Sequence, residues 1–208
     1  MSNRYSLLTR SGFDLDLSIF LAEASQAAYA DEVDPKQWAA DQGFTSFTAF
    51  DQFNVQGFWC MADDVALLSF RGTSNIGQWL RDARFLPVPH PWGLVHAGFS
   101  DGIHDVEADL AMFDAASSKA SHVWITGHSL GGGLALIAAA RLKMKGIFTS
   151  LYTYGQPRAG MGGFADRFAI ELPSQLHRFV NQSDIVTRVP PGFLYRHTGI
   201  VKRIVRQE

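Results

Sequence analysis

A chain of 208 residues with 47% hydrophobic and 12% aromatic content buries one sizeable core, and its length asks for no second domain. Its 18 basic and 20 acidic residues leave a formal net charge of −2, which excludes the basic field of a nucleic-acid binder or of a protein drawn to anionic membranes. The single cysteine, Cys60, excludes an intrachain disulfide framework and a cysteine-rich zinc site, and its apolar neighbours in 55–61 mark it as a small buried hydrophobe.

The N-terminal stretch MSNRYSLLTRSGFDLD lacks the apolar core of a signal peptide, and no uninterrupted apolar run reaches the length of a transmembrane segment. The expectation is a soluble protein kept inside the cell, or a secreted one if the N-terminus is a trimmed mature form. Residues 16–30 predict a helix with apolar side chains at Ile19, Phe20, Ala24, Ala27 and Ala28, capped by Asp14 or Asp16 and closed off before Pro35. The runs 44–50, 55–61 and 65–70 predict strands, the last two joined through Ala62-Asp63-Asp64 as an antiparallel hairpin. Phe70-Arg71-Gly72-Thr73 follows directly, then a polar, aromatic-bearing segment over 74–85. Pro87, Pro89 and Pro91 argue against regular structure after it. Phe99, Ile103, Val106, Leu110 and Phe113 recur three or four residues apart and predict one helix packed on the core.

Residues 147–154 predict a strand, 161–170 a helix and 176–180 a further strand, and an irregular loop then carries Asp184 and His197 to a last strand over 200–205. Strands and helices alternate from Val65 onward. The chain therefore reads as one α/β domain over 1–208, with a mainly parallel central sheet covered by helices on both faces.

The organising stretch is VWITGHSLGGGLALIAAAR, which starts at Val123. A short buried strand, 123–126, runs into Gly127-His128-Ser129-Leu130-Gly131 and then into an apolar helix. A serine between glycines at i−2 and i+2 on a strand-to-helix turn is a nucleophile elbow, in which the hydroxyl is held at the helix N-terminus among N–H groups that stabilise an oxyanion. Ser129 is read as a nucleophile.

Such a serine needs a histidine to take its proton and an acid to hold that histidine. In elbow folds the chain order is Ser, then Asp or Glu, then His. Only His177 and His197 follow the elbow. His177 lies inside a predicted strand, whereas His197 sits on a loop past Pro190-Pro191-Gly192. Of the acids, Asp184 falls just beyond the strand 176–180, at the carboxyl edge where α/β sites assemble. Asp166 and Glu171 fall on or next to a helix. Chain order thus selects Ser129, Asp184 and His197. The oxyanion hole is expected from the N–H of Leu130 and from Thr73, which follows the strand 65–70. His128 points off the other side of the turn and is read as structural.

Six stretches in this order, FRGTSNIGQWLRD (70–82), VHAGF (95–99), ITGHSLGGGLA (125–135), TYGQPRAG (153–160), RFVNQSDIVTRVPP (178–191) and YRHTG (195–199), resemble the class 3 lipases, the filamentous-fungal lipase type of α/β-hydrolase. The resemblance implies an α/β-hydrolase fold, the triad Ser129, Asp184 and His197, Thr73 and Leu130 in the oxyanion hole, and no metal or organic cofactor. It also implies a short lid over about 74–84. Ile76, Trp79 and Leu80 there fall at i, i+3 and i+4 and make one apolar helix face. Arg71 and Asp82 are expected to pair, and His96 and Arg158 to be structural. The secreted fungal enzymes are longer and carry disulfides, so their location does not carry over.

The leading expectation is a serine carboxylester hydrolase acting on acylglycerols or related lipid esters, met at a lipid–water interface. Alternatives are a soluble short-chain or aromatic (feruloyl-type) carboxylesterase, a phospholipase A1-like enzyme, and a catalytically silent member that binds lipid or protein.

Overall fold

Every side chain of the strand Val65–Phe70 (β3) is buried, because the strand lies inside a sheet covered on both faces. The computed structural model describes residues 4–73, 85–181 and 184–205. Among them, β1 (Ser46–Gln52) and β2 (Val55–Ala62) form an antiparallel meander with β3. Beyond it β6 (His122–His128), β7 (Ser150–Tyr154), β9 (Leu176–Asn181) and β11 (Ile200–Ile204) continue in parallel, in the order β1-β2-β3-β6-β7-β9-β11.

The period-2 alternation of these strands divides the core in two. Ala66, Leu68 and Phe70 of β3, Val123 and Ile125 of β6, and Leu176 of β9 enter one cluster. It is closed by α3 (Ala97–Asp105), α4 (Glu107–Ser117), α5 (Leu130–Met144) and α6 (Gly162–Glu171). Val65, Leu67, Trp124, Tyr152 and Phe179 enter the other cluster, under α1 (Leu15–Ala27) and α2 (Pro35–Asp41). Cys60 is fully buried there, and burial pushes its thiol well above the usual range.

The first helix ends at Ala27, before Pro35, and Pro35 itself opens α2: Asp34 caps it by accepting from the Lys36 N–H, and a proline at N1 forfeits no helical hydrogen bond. Two local expectations are corrected. The proline-rich segment contains β4 (Pro87–His90), paired with β5 (Gly93–His96) at the edge of a small sheet of order β10-β8-β5-β4, where missing N–H groups are tolerated. In that sheet β8 is Gly160–Met161 and β10 is Tyr195–Arg196. The helix expected through Phe99–Phe113 breaks at Val106, whose backbone sits at φ −106°, ψ 20°, between α3 and α4. All five stripe residues still reach the core.

Candidate active site

Between the last residue of β6 and the first of α5 stands Ser129, at φ 54°, ψ −124°. A positive φ at a non-glycine residue is costly and persists only where its surroundings force it. Here the Ser129 N–H donates to the Tyr154 carbonyl at 2.8 Å, and the flanking backbone closes in. A Cβ on Gly127 would lie 2.4 Å from the Gly131 carbonyl carbon, and one on Gly131 would lie 2.3 Å from the Phe70 carbonyl oxygen. Both glycines are required by the turn. Ser129 is 1% exposed, and its Oγ has no hydrogen-bond partner.

The carboxyl end of β3 meets the elbow. A Cβ on Gly72 would lie 3.3 Å from Ser129 Cβ and 2.6 Å from the His128 carbonyl oxygen, so Thr73 follows immediately beside the nucleophile. Leu130 is the first residue of α5, where N–H groups lack helical partners. Thr73, Tyr29, His128 and Tyr154 line a cavity of about 550 Å³ on the α1 face of the sheet. His128 is held there by the Tyr29 hydroxyl, 2.7 Å from Nδ1, and burial keeps its proton affinity low. Arg71 bonds Gln56 at 2.7 Å and approaches Asp31 at 3.6 Å. The expected partner Asp82 lies outside the described residues, as do Ile76, Trp79, Leu80 and the whole 74–84 segment.

Asp184 follows β9 at the same edge. Its Oδ1 accepts from the Val186 N–H at 2.9 Å, and its Oδ2 would lie 2.6 Å from a Cβ on Gly155. With His128, Tyr154, Gly155, Phe179, Asn181 and Ile204 it lines a second cavity of about 380 Å³, which shares His128 and Tyr154 with the first. Thr73, Ser129 with Leu130, and Asp184 thus follow the carboxyl ends of β3, β6 and β9, three strands of one parallel run with β7 between the last two.

His197 is not brought to them. Its Nε2 lies 2.7 Å from the Thr187 carbonyl, which can only accept, so Nε2 carries the proton and Nδ1 is buried without a partner. Burial first, then the guanidiniums of Arg178 and Arg158, hold the imidazole down at about 4. Arg178 shares the face of β9 with Leu176, on which Gly199 packs; Phe179 and Asn181 alternate to the other face, beside Asp184. The expected hydrogen-bonded chain from Asp184 through His197 to Ser129 is therefore not formed.

The comparisons with known proteins agree with the elbow. A family model described as Lipase (class 3) matches residues 67–194, well over half of the chain. The chain belongs to the class 3 lipase family. Similar members include the lipase of Rhizomucor miehei, 39% identical over 142 residues that make up 62% of this chain and 39% of that protein. The secreted mono- and diacylglycerol lipase 1 of Fusarium solani is 36% identical over 141 residues, 64% of this chain and 42% of that protein. The chain thus spans about two-fifths of the length of these curated relatives. A solved structure described as a triacylglycerol lipase with a serine protease triad at its catalytic centre matches with a TM-score of 0.80 at 29% identity, over 92% of this chain and 80% of that one. The fold is that of an α/β-hydrolase.

The remaining candidates are structural in this class 3 lipase chain. His177 lies near the amino end of β9 with its ring 4.8 Å from that of Tyr152. Asp166 on α6 pairs with Arg196, and Glu171 with Arg167. His96 caps α3, its Nδ1 accepting from the Gly98 N–H. Arg158 donates to the carbonyls of Arg188 and Pro190 and so fastens the loop after Asp184. Among the described residues no cluster of His, Cys, Asp and Glu could hold a metal ion, and no helix is long and apolar enough to cross a membrane. What sequence reasoning missed is Tyr29: it sits at the end of an ordinary helix pattern, and only the fold carries its hydroxyl to His128.

Proposed function

We propose that this chain carries the nucleophilic centre of a serine carboxylester hydrolase acting on acylglycerols or related lipid esters. The observation that carries the reading is the strained, buried Ser129 at the mouth of α5, with an unpartnered Oγ and Gly72-Thr73 against it. Ser129 Oγ adds to the ester carbonyl carbon as a base removes its proton. The N–H of Leu130 and the N–H and hydroxyl of Thr73 receive the charge that develops on the carbonyl oxygen, where preformed donors contribute most. Collapse expels the alcohol and leaves an acyl group on Ser129, and water then releases the acid by the same steps in reverse. Asp184, with its Oδ2 turned to the second cavity, is the acid that orients and charges-matches the base.

The lipid preference is supported by the family and by the cavity of about 550 Å³ beside Thr73, which has room for an ester's organic arm. A lid over 74–84 with the apolar face Ile76, Trp79 and Leu80 belongs to the same proposal. The reading is tested by fluorophosphonate labelling, with the adduct mapped to Ser129. An alkyl-ester series across chain lengths, run beside emulsified triacylglycerol and phospholipid, then assigns the substrate. Failure to label Ser129 under any condition removes the reading. A preference for dissolved short esters over every emulsion moves it to a soluble esterase.

A further inference from the structure

Ser129 stands at the carboxyl edge of the sheet, and at the opposite edge lies a cavity that no step of ester hydrolysis uses. Its volume is about 350 Å³, and it opens between the stretch 9–12, the starts of β6 and β7, and the turn that leads into β9. His122 of its wall opens β6, and Ser129 follows the other end of that strand, about 20 Å away at the rise of an extended chain.

The wall is polar without being charged. Among its described residues Arg10 alone carries a permanent charge, and Asp14 at 2.6 Å and Asp16 at 3.6 Å already hold that guanidinium. Burial first, then Lys202, lowers the proton affinity of His177. Ser11, Ser121 and Ser174 add hydroxyls, which both donate and accept.

His177 is the group that calls for an occupant. It is 6% exposed, its ring packs edge-on to Tyr152 at 4.8 Å, and its Nδ1 is buried without a partner. A buried ring nitrogen left unpaired costs free energy that a ligand hydroxyl recovers. Phe148 supplies the opposite kind of surface: it lines the same cavity and is 52% exposed, so its ring meets the cavity and not the core.

These groups select the ligand. A wholly apolar one would strand the hydroxyls and His177 Nδ1, and an anion would find the one guanidinium already paired. A molecule with hydroxyls around its edge and C–H groups on its face matches both parts of the wall. At about 30 Å³ per water molecule the cavity has room for about a dozen non-hydrogen atoms, the size of one sugar ring.

We infer that the cavity at the amino edge of the sheet is a binding site for a neutral pyranose sugar, which packs a C–H face on Phe148 and hydrogen-bonds His177 Nδ1 and the serine hydroxyls. The site is separate from Ser129 and does not depend on its role. The sugar arrives free or as the end of a longer glycan, and both present the same ring.

The test is titration of the 208-residue chain with methyl α-D-glucopyranoside and methyl β-D-galactopyranoside, followed through amide resonances. Expected are saturable shifts of Ser121, Phe148, Ser174 and Gln175 with one midpoint, at about 1 to 10 mM for a ligand of this size. Ser129→Ala titrates like the parent. Phe148→Ala and Ser121→Ala, both at exposed positions, raise the midpoint at least about threefold, and His177→Phe, which keeps a ring, at least about tenfold. If His177→Phe fails to fold, the two exposed variants decide. Maltose separates the sources: tighter binding than the methyl glycosides supports a glycan end, and equal binding supports a free monosaccharide. Amides that stay still up to about 100 mM sugar overturn the inference. So do shifts that glycerol or sulfate reproduces at the same midpoint, and so do midpoints unchanged in Phe148→Ala and Ser121→Ala.

Discussion

Asp184 and His197 are not hydrogen-bonded to each other: Asp184 Oδ1 accepts from the Val186 N–H, and His197 Nε2 donates to the Thr187 carbonyl while its Nδ1 is buried without a partner. The 3₁₀ turn Val186–Arg188 that starts after Asp184 accounts for both bonds. It consumes one carboxylate oxygen in the Val186 N–H bond and offers the imidazole a neutral acceptor, the Thr187 carbonyl.

That placement has a pH signature. An unfolded histidine takes up a proton near pH 6.5, whereas the native His197 ring resists protonation until about 4. Between those values the unfolded state binds more protons, so stability falls as the pH drops from about 6.5 to about 4. His197 alone contributes on the order of 3 kcal/mol to that fall. His90, His96, His128 and His177, all lowered first by burial, act in the same direction. Urea unfolding at pH 7.5, 6 and 5 should show the decline, and His197→Ala should flatten it. A stability independent of pH over this window contradicts the assignment.

The elbow glycines should separate sharply from the open ones. A Cβ on Gly131 meets the Phe70 carbonyl, a backbone atom that cannot step aside, so Gly131→Ala should cost more than about 3 kcal/mol despite alanine's better helix propensity. Gly163, on α6 with open space around its Cα, should gain up to about 1 kcal/mol as alanine. Paired thermal melts decide it; equal shifts would mean that the tight turn is not the constraint.

Ser129→Ala should fold like the parent and lower kcat by at least about 10³. Asp184→Asn keeps the size but loses the charge, and should lower kcat by about 10² to 10⁴ with little effect on the melting temperature. Activity within tenfold of the parent for either variant removes that residue from its role.

Thr73→Val deletes a hydroxyl and leaves the N–H. It should lower kcat by about 10² at nearly constant KM if the hydroxyl bonds the oxyanion. An unchanged kcat restricts Thr73 to its backbone.

Trp79 lies outside the described residues, so its prediction comes from the Ile76, Trp79 and Leu80 spacing. Exposing three large apolar side chains in water costs about 1.5 to 3 kcal/mol each, and a lipid surface removes that cost by receiving them. Trp79→Ser should therefore weaken hydrolysis of emulsions and spare a dissolved short ester. Equal losses on both substrates would dismiss the lid.

Much of this protein was legible in the linear chain because short-range chemistry fixes it. Glycines at 127 and 131 around Ser129 specify the turn, since no other residue fits the approach of Phe70 and Gly131. The all-apolar run 65–70 specifies a strand covered on both faces, and Ser-before-Asp order puts Asp184 at the right edge. The break at Val106 and the strand at Pro87–His90 were not legible, because helix continuity and edge pairing depend on what packs alongside. Nor was the fate of His197. Sequence order states which residue comes later; it says nothing about which neighbour a side chain meets. The turn at Val186–Arg188 decided that, by offering the Thr187 carbonyl to Nε2 of the ring.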